Sequence, residues 1–420
     1  MELKYDSLYS GLVSINRSLG GYQPMPDSEY GAMIDLMETL SNRPVGESGD
    51  VFDAVSTVAT MAENGELPIQ GGGTGETKVN VLSNGVKFGY STFSSVPSIF
   101  DFSGEWTDTS SLFHMCQNLT SVPYIDTKMV TDMSNMFNGC ESLTLIPELD
   151  FSNMENCAGI FSETGLTSFG DFVAPKCTNM NNVFGYSAIE EIGNIDVPLV
   201  TRFSLSGMDK LKRVGSINVP SVTSLQSAFY NCKMLESAPN IDTTNVTSFS
   251  QIFYGCSALT SIPVYNTSKV TDFYSAFKSC TSLVELPQWD FSGVVQASRV
   301  QGLIQGCTSL TTIPELDFSN IPNSQELSIF GSQTSMPNIT TLGGFKGLKN
   351  GFQYLQGLDA MPNLTVESIM NVFDRLYDFV SAGEEPRYET ATMYLGDNYG
   401  KLTEEQIAVA TNKGWVVVTS

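Results

Sequence analysis

Three sets of residues in this chain have types that could do chemistry. The first is eight cysteines, at 116, 140, 157, 177, 232, 256, 280 and 307. The second is the single histidine, His114, and the third a series of Asp and Asn at 126, 150, 196, 218, 242, 266, 290 and 317. Thiols can ligate metal, pair as disulfides or act as nucleophiles. With no Cys-x-x-Cys and one His, the raw material for a zinc site is missing, so no metal is expected. A Ser–His–Asp or Cys–His arrangement would have to be built on His114, which stands beside Phe113 without a nucleophile motif. The Asp/Asn series invites calcium. Calcium, however, wants several oxygens converging per site, and the spacing supplies one per repeat. Asn also substitutes freely for Asp there, which favours Asx-type bonding to turn backbone. Gly71-Gly72-Gly73-Thr74-Gly75 lacks the Gly-Lys-Ser/Thr of a phosphate loop. No cofactor and no catalytic residue are expected, and the chain reads as a non-enzyme.

All of these residues fall into register once the repeat is seen. Val130-Thr131-Asp132-Met133-Ser134-Asn135-Met136-Phe137-Asn138-Gly139-Cys140 returns as Val246-Thr247 through Phe253-Tyr254-Gly255-Cys256. Aligning the repeats gives columns: Phe113, Phe137, Phe161, Phe184, Phe229, Phe253 and Phe277 in one, and Leu119, Leu143, Leu166, Leu235 and Leu259 in another. A third column holds Cys116, Cys140, Thr164, Ser187, Met208, Cys232, Cys256, Cys280 and Cys307, with spacings of 24, 24, 23, 21, 24, 24, 24 and 27 residues. Cys157 falls in the Met133 column and Cys177 in the Val130 column. The cysteines therefore read as core residues, favoured as free thiols because Thr, Ser and Met replace them; neighbouring coils remain close enough for a disulfide. The expected fold is an α/β repeat: a leucine-rich-repeat-like solenoid of about ten coils of ~24 residues with a parallel sheet, since each coil buries its apolar side only against neighbours. Leu-x-x-Ile-Pro reads as a short strand ending at a proline. Val-Thr-x-Met-x-x-Met-Phe reads as one or two turns of helix or 3₁₀ on the opposite wall.

The unit resembles the BspA-like leucine-rich repeats of bacterial surface proteins, a family also seen in mycoplasmas. Its hallmark is Met-Phe-x-x-Cys-x-x-Leu-Thr-x-Ile-Pro-x-Leu-Asp-Thr-Ser-x-Val-Thr, nearly intact here from Met136, Ile252 and Ala276. The resemblance covers about residues 80–420. It departs near 187–215, where Gly193 and Gly215 replace Pro and Met208 replaces Cys.

The flanks break the period. Residues 1–65 read as a helical docking or oligomerisation module, with Leu8, Leu12, Ile15 and Leu19 on one helix and Tyr30, Met33 and Met37 on the next. A reading as a plain cap on the first coil stays open. Residues 66–78 form a Gly-rich linker, 79–345 the solenoid, and 346–420 degenerate last repeats with a C-terminal cap. In that tail a helix is predicted from Val366 to Phe379, then an extended stretch from Thr390 to Leu395. A helix capped by Thr403 and Gln406 and a strand at Trp415–Thr419 complete it.

The net charge of −24, with Lys and Arg numbering 21, excludes the cationic stripe a nucleic-acid binder needs and disfavours anionic membranes. No apolar run approaches the ~18 residues of a membrane span. Met1-Glu2-Leu3-Lys4-Tyr5-Asp6 lacks a signal-peptide pattern, so export by the general secretory route is not expected. Function is left to the strand-face positions Thr120, Thr144, Thr167, Glu190, Lys212, Arg213, Glu236, Thr260 and Thr311. These form a ligand face or merely a solvated one, and both readings stand. The expected role is an interaction protein, foremost a bacteriophage virion appendage, with a bacterial cell-surface adhesin as the alternative. Its partners would be virion or surface proteins through the N-terminal helices and a host-surface protein or glycan through the face; homo-oligomerisation stays open.

Overall fold

A computed structural model describes residues 79–80, 94–96, 100–101, 106–322, 327–331, 336–347, 358–386 and 391–419. The N-terminal residues Leu8, Leu12, Ile15, Leu19, Tyr30, Met33 and Met37, and the linker 66–78, lie outside the described residues. The chain divides into two compact units. One contains the described residues up to Thr167 together with Val173–Ser187, and the other Ser168–Phe172 with everything from Ala188 on.

Within each unit coils stack with their periodic residues in register. In the first, the rings of Phe113, Phe137, Phe161 and Phe184 are stacked face to face at 5.7, 5.9 and 5.6 Å. In the second, Phe229, Phe253 and Phe277 repeat this at 5.5 and 6.1 Å. The Leu and Cys columns beside them are fully buried. Every coil thus contributes the same slice of core, the condition under which a one-dimensional stack is stable.

The strands are short and parallel. They are β1 (Val79–Asn80), β2 (Phe100–Asp101), β3 (Ser168–Phe169), β4 (Phe172–Val173), β5 (Glu191–Ile192), β6 (Ile195–Asp196), β7 (Arg213–Val214) and β8 (Ile217–Asn218), followed by β9 (Thr312–Ile313), β10 (Leu316–Asp317), β11 (Thr341–Leu342) and β12 (Phe345–Lys346). β3, β5 and β7 form one parallel sheet, with Phe169, Ile192 and Val214 in register, and β6 pairs with β8. The strand expected at every Leu-x-x-Ile-Pro appears in reduced form. At Pro239 and Pro263 the backbones meet only in a single bridge, Ser237 to Ser261. Where glycine stands in that column the ladder is complete. Gly193 donates its N–H to Phe169 O at 3.0 Å, and Gly215 donates to Ile192 O and Gly193 O, both at 3.0 Å. Proline has no N–H to give.

The opposite wall corrects a second expectation. Between Val130 and Cys140 there is no helix but a run of tight turns, and the one 3₁₀ segment described on such a wall is Ala297–Val300. The cause is a pair of left-handed residues in nearly every coil, four apart: Asn135 (φ 55°) and Gly139 (φ 76°), or Gln251 (φ 56°) and Gly255 (φ 76°). A left-handed residue every four interrupts any helix. It also turns alternate peptides along the stack. Asn135, Phe137 and Gly139 N–H donate to Ala158, Ile160 and Ser162 O of the next coil at 2.8–3.0 Å, while Met136, Asn138 and Cys140 N–H bond back three residues within their own coil.

The tail holds the expected helices and strands, except that the first helix is split. It comprises α1 (Val366–Arg375), α2 (Phe379–Ala382), β13 (Ala391–Tyr394), α3 (Glu404–Thr411) and β14 (Trp415–Val418), with β13 and β14 parallel. Thr403 and Gln406 form the reciprocal capping box. α1 shields the last ladder edge with side chains: Ser368 Oγ accepts from Leu342 N (3.1 Å) and donates to Thr340 O (3.1 Å), and Asn371 Nδ2 donates to Leu342 O (3.1 Å). An edge so satisfied cannot template another strand.

Candidate functional site

The residues with chemical potential are spent on stacking. Cys140 Sγ–H donates to Phe113 O at 3.0 Å, and Cys256, Cys280 and Cys307 do the same to Phe229, Phe253 and Phe277 O at 3.0 Å; Cys232 reaches Leu205 O at 3.2 Å. The column therefore asks for a small donor, not merely a small volume. Thr164 and Ser187 satisfy the same need within their own coil, donating to Phe161 O (2.9 Å) and Phe184 O (2.7 Å). Burial pushes these thiols up, to about 12 at Cys232 and Cys307. They stay protonated and are poor nucleophiles and ligands. All eight cysteines are buried thiols. Burial lowers the pKa of His114 and favours its neutral form.

Six of the eight Asp/Asn positions make Asx turns, while Asn218 Nδ2 donates to Asp196 Oδ1 across coils at 2.8 Å. Asp126, Asp150, Asp242, Asn266, Asp290 and Asp317 each accept, through Oδ1, the N–H two residues on, at 2.8–3.1 Å. Those bonds favour the carboxylate, and Asp150 and Asp242 titrate below the usual range chiefly because of Ser152 and Thr244. A buried threonine after the Asx position braces the next coil. Thr127 Oγ1 accepts Asp150 N (2.7 Å), and Thr267 Oγ1 accepts Asp290 N (2.6 Å). Among the described residues no three His, Cys, Asp or Glu side chains converge on a metal position.

Of the strand-face residues, Thr120, Thr144, Thr167, Glu190, Arg213, Glu236 and Thr260 are exposed, and Lys212 and Thr311 are half-buried. In the first, Thr120 donates both N–H (2.8 Å) and Oγ1–H (2.9 Å) to Ser94 O, and Thr144 and Thr167 stand clear at the surface. In the second, Thr260 donates twice to Glu236 O, and Thr311 twice to Val284 O. Each of these hydroxyls has its proton turned into the ladder and presents a methyl group and lone pairs outward. The charged rungs are paired across coils: Lys212 Nζ lies 2.7 Å from Glu190 Oε2, and Arg213 pairs with Glu191. The bond from Glu190 raises the pKa of Lys212, with Glu236 a smaller contributor.

Two features of the surface were not anticipated. Tyr124, Leu145 and Val264 project from or beside the face at 66, 72 and 89% exposure, apolar residues lying off every core column, which was their signal. A second turn-forming column also runs down the stack. Asn156 Nδ2 donates to Asp132 Oδ2 (3.0 Å) and Asn179 Nδ2 to Asn156 Oδ1 (3.1 Å), forming a short amide ladder at the residue after each Val-Thr pair or its equivalent.

Stacked coils with a parallel strand wall and periodic Leu, Phe and Cys columns define a leucine-rich-type repeat protein. A family model described as "Mycoplasma protein of unknown function, DUF285" matches residues 102–196 and 199–312. Over those residues the chain belongs to this family, and its repeats are of the BspA-like leucine-rich type. The chain is also similar to a leucine-rich repeat protein of Bacteroides ovatus at 14% identity, over 77% of this chain and 83% of that one, with a TM-score of 0.28. A leucine-rich repeat protein of Eubacterium ventriosum is similar at 16% identity, over 64% and 79%, with a TM-score of 0.33. No curated protein matches the chain. Among the described residues no helix is long and apolar enough to cross a membrane.

Proposed function

We propose that the protein is a non-enzymatic interaction protein whose strand face engages a protein or glycan, displayed outside the cell that makes it. One contrast carries this reading. The thiols and aromatic rings are consumed in holding coils together and the Asx oxygens in closing turns, whereas the strand face is regular, largely exposed and chemically mixed. Threonine methyls, paired charges at Glu190–Lys212 and Glu191–Arg213, and the projecting Tyr124, Leu145 and Val264 are the groups such surfaces use. Residues 1–65 are proposed as the docking module that anchors this surface to a carrier.

The experiment is binding of the purified chain to an array of glycans and to soluble host-surface proteins, with the Lys212→Glu/Arg213→Glu variant beside it. Binding weakened tenfold or more by the double reversal supports the face. Undiminished binding, or release of glycan fragments from the array, overturns the reading. The family match, whose description names Mycoplasma, favours a bacterial carrier for that display. Labelling of intact cells tests that placement, and recovery of the chain in purified virions would move it to a phage particle.

A further inference from the structure

Two of the eight cysteines stand outside the donor column and face each other. Cys157 and Cys177, from consecutive coils of the first unit, are fully buried with their sulfurs 2.7 Å apart. That is longer than the covalent ~2.0 Å of a disulfide and places the two sulfurs in direct contact. Elsewhere these columns hold plain hydrophobes. Met133, Met180 and Phe203 occupy the place of Cys157, and Val130, Val200, Val222 and Val246 that of Cys177. Both sulfurs crowd one acceptor, Asn179 O, at 3.3 and 3.5 Å, and that carbonyl already accepts the Cys157 N–H at 3.0 Å.

We propose that Cys157 and Cys177 are a redox-responsive pair that closes to a disulfide in an oxidising medium, stapling two consecutive coils through the core. The oxidant is a small-molecule disulfide. When the coils open, the Cys177 thiolate attacks one of its sulfurs, releasing one small thiol and leaving a mixed disulfide on Cys177. The Cys157 thiolate then attacks Cys177 Sγ, forming the protein disulfide and expelling the second small thiol. The two protein thiols lose two electrons and two protons, and the small disulfide gains both. The roles follow from the surroundings: the hydrogen bond from Cys157 holds Cys177 lower, while burial holds Cys157 high.

The test equilibrates the purified full chain in glutathione buffers of rising oxidised-to-reduced ratio. Samples are quenched in acid, alkylated in denaturant and mapped by mass. The expected result is a window in which six thiols instead of eight alkylate, the missing two mapping to one peptide pair that contains Cys157 and Cys177. Cys157→Met and Cys177→Val take the side chains the same columns use elsewhere, so they should fold, and each should keep seven alkylatable thiols across that window. Eight free thiols at every ratio would overturn the proposal. So would pairing spread among the column cysteines, or unchanged pairing in either variant.

Discussion

The coils that keep proline after the strand and those that put glycine there solve the same problem in opposite ways. At Gly193 and Gly215 the backbone carries the ladder, and the side chains beside it are released from that duty. The donor column holds Ser187, which bonds within its own coil, and Met208, which has nothing to donate; the bracing column holds Ala174, Val197 and Val219. At Pro147, Pro239, Pro263, Pro287 and Pro314 the backbone N–H is missing. In these coils the thiols of Cys140, Cys232, Cys256, Cys280 and Cys307 reach across to the previous coil. In the coils of Pro123, Pro239 and Pro263, Thr127, Thr243 and Thr267 brace the turn of the next. Side-chain donors stand where backbone donors fail. The repeats that depart from the hallmark contain the most regular sheet, because each glycine in place of proline returns a hydrogen bond to the main chain.

Alkali should separate the two regions most strongly. Burial puts the folded-state pKa of the column thiols above the ordinary thiol range, to about 12 at Cys232 and Cys307. Their contribution is whole below pH ~9 and is lost as the pH climbs toward ~12, since the unfolded chain sheds those protons first. Circular dichroism across that range should show loss of fold, and hydrogen exchange should locate the first opening in the proline coils rather than at 188–218. Gly215→Pro comes next. It deletes an N–H that serves Ile192 O and Gly193 O in a coil with no thiol to compensate, and should lower unfolding stability in urea by about 3 kcal/mol. The reciprocal Pro263→Gly should shift it by less than about 1 kcal/mol.

Cys256→Ala, which removes a cross-coil donor in a proline coil, should lose about 2 kcal/mol by denaturant titration, with Cys256→Ser falling between it and the parent. Met208→Cys, in a glycine coil, should change stability less. The smallest effect belongs to Lys212→Ala and Arg213→Ala. Their ion pairs are exposed, and each substitution should move stability by less than about 1 kcal/mol. A larger loss there would mean that the charged rungs, and not the glycine ladder, hold those coils.

Much of the fold was legible because a stack repeats each constraint many times. One Phe113 is ambiguous, whereas a Phe every ~24 residues is a core. The tail was legible for a different reason: Thr403 and Gln406 spell a local capping motif that needs no tertiary context. The turn wall was not, because Asn135, Ser227 and Gln251 enter the left-handed region under the pull of bonds to the next coil, which no residue type announces. At the strand face, residue types revealed exposure and charge but not that Thr120, Thr260 and Thr311 turn their hydroxyl protons into the backbone. The Cys column was recognised as small and buried; its role as donor depends on where the neighbouring coil's carbonyl lies, and only the stack supplies that.

The one-way bonding of the turn wall has an electrical consequence. In each coil the peptides ending in Asn135, Phe137 and Gly139, or their equivalents, point N–H forward along the stack and C=O backward. Peptide dipoles of ~3.5 D each, aligned head to tail, add as they do in an α-helix. Each unit therefore carries a polarity fixed by its chain direction, these N–H groups pointing toward later coils and the C=O groups toward earlier ones. Another chain could continue such a wall only head to tail. The two ends of a stack are unlike surfaces, and a twofold partner cannot use them both in the same way.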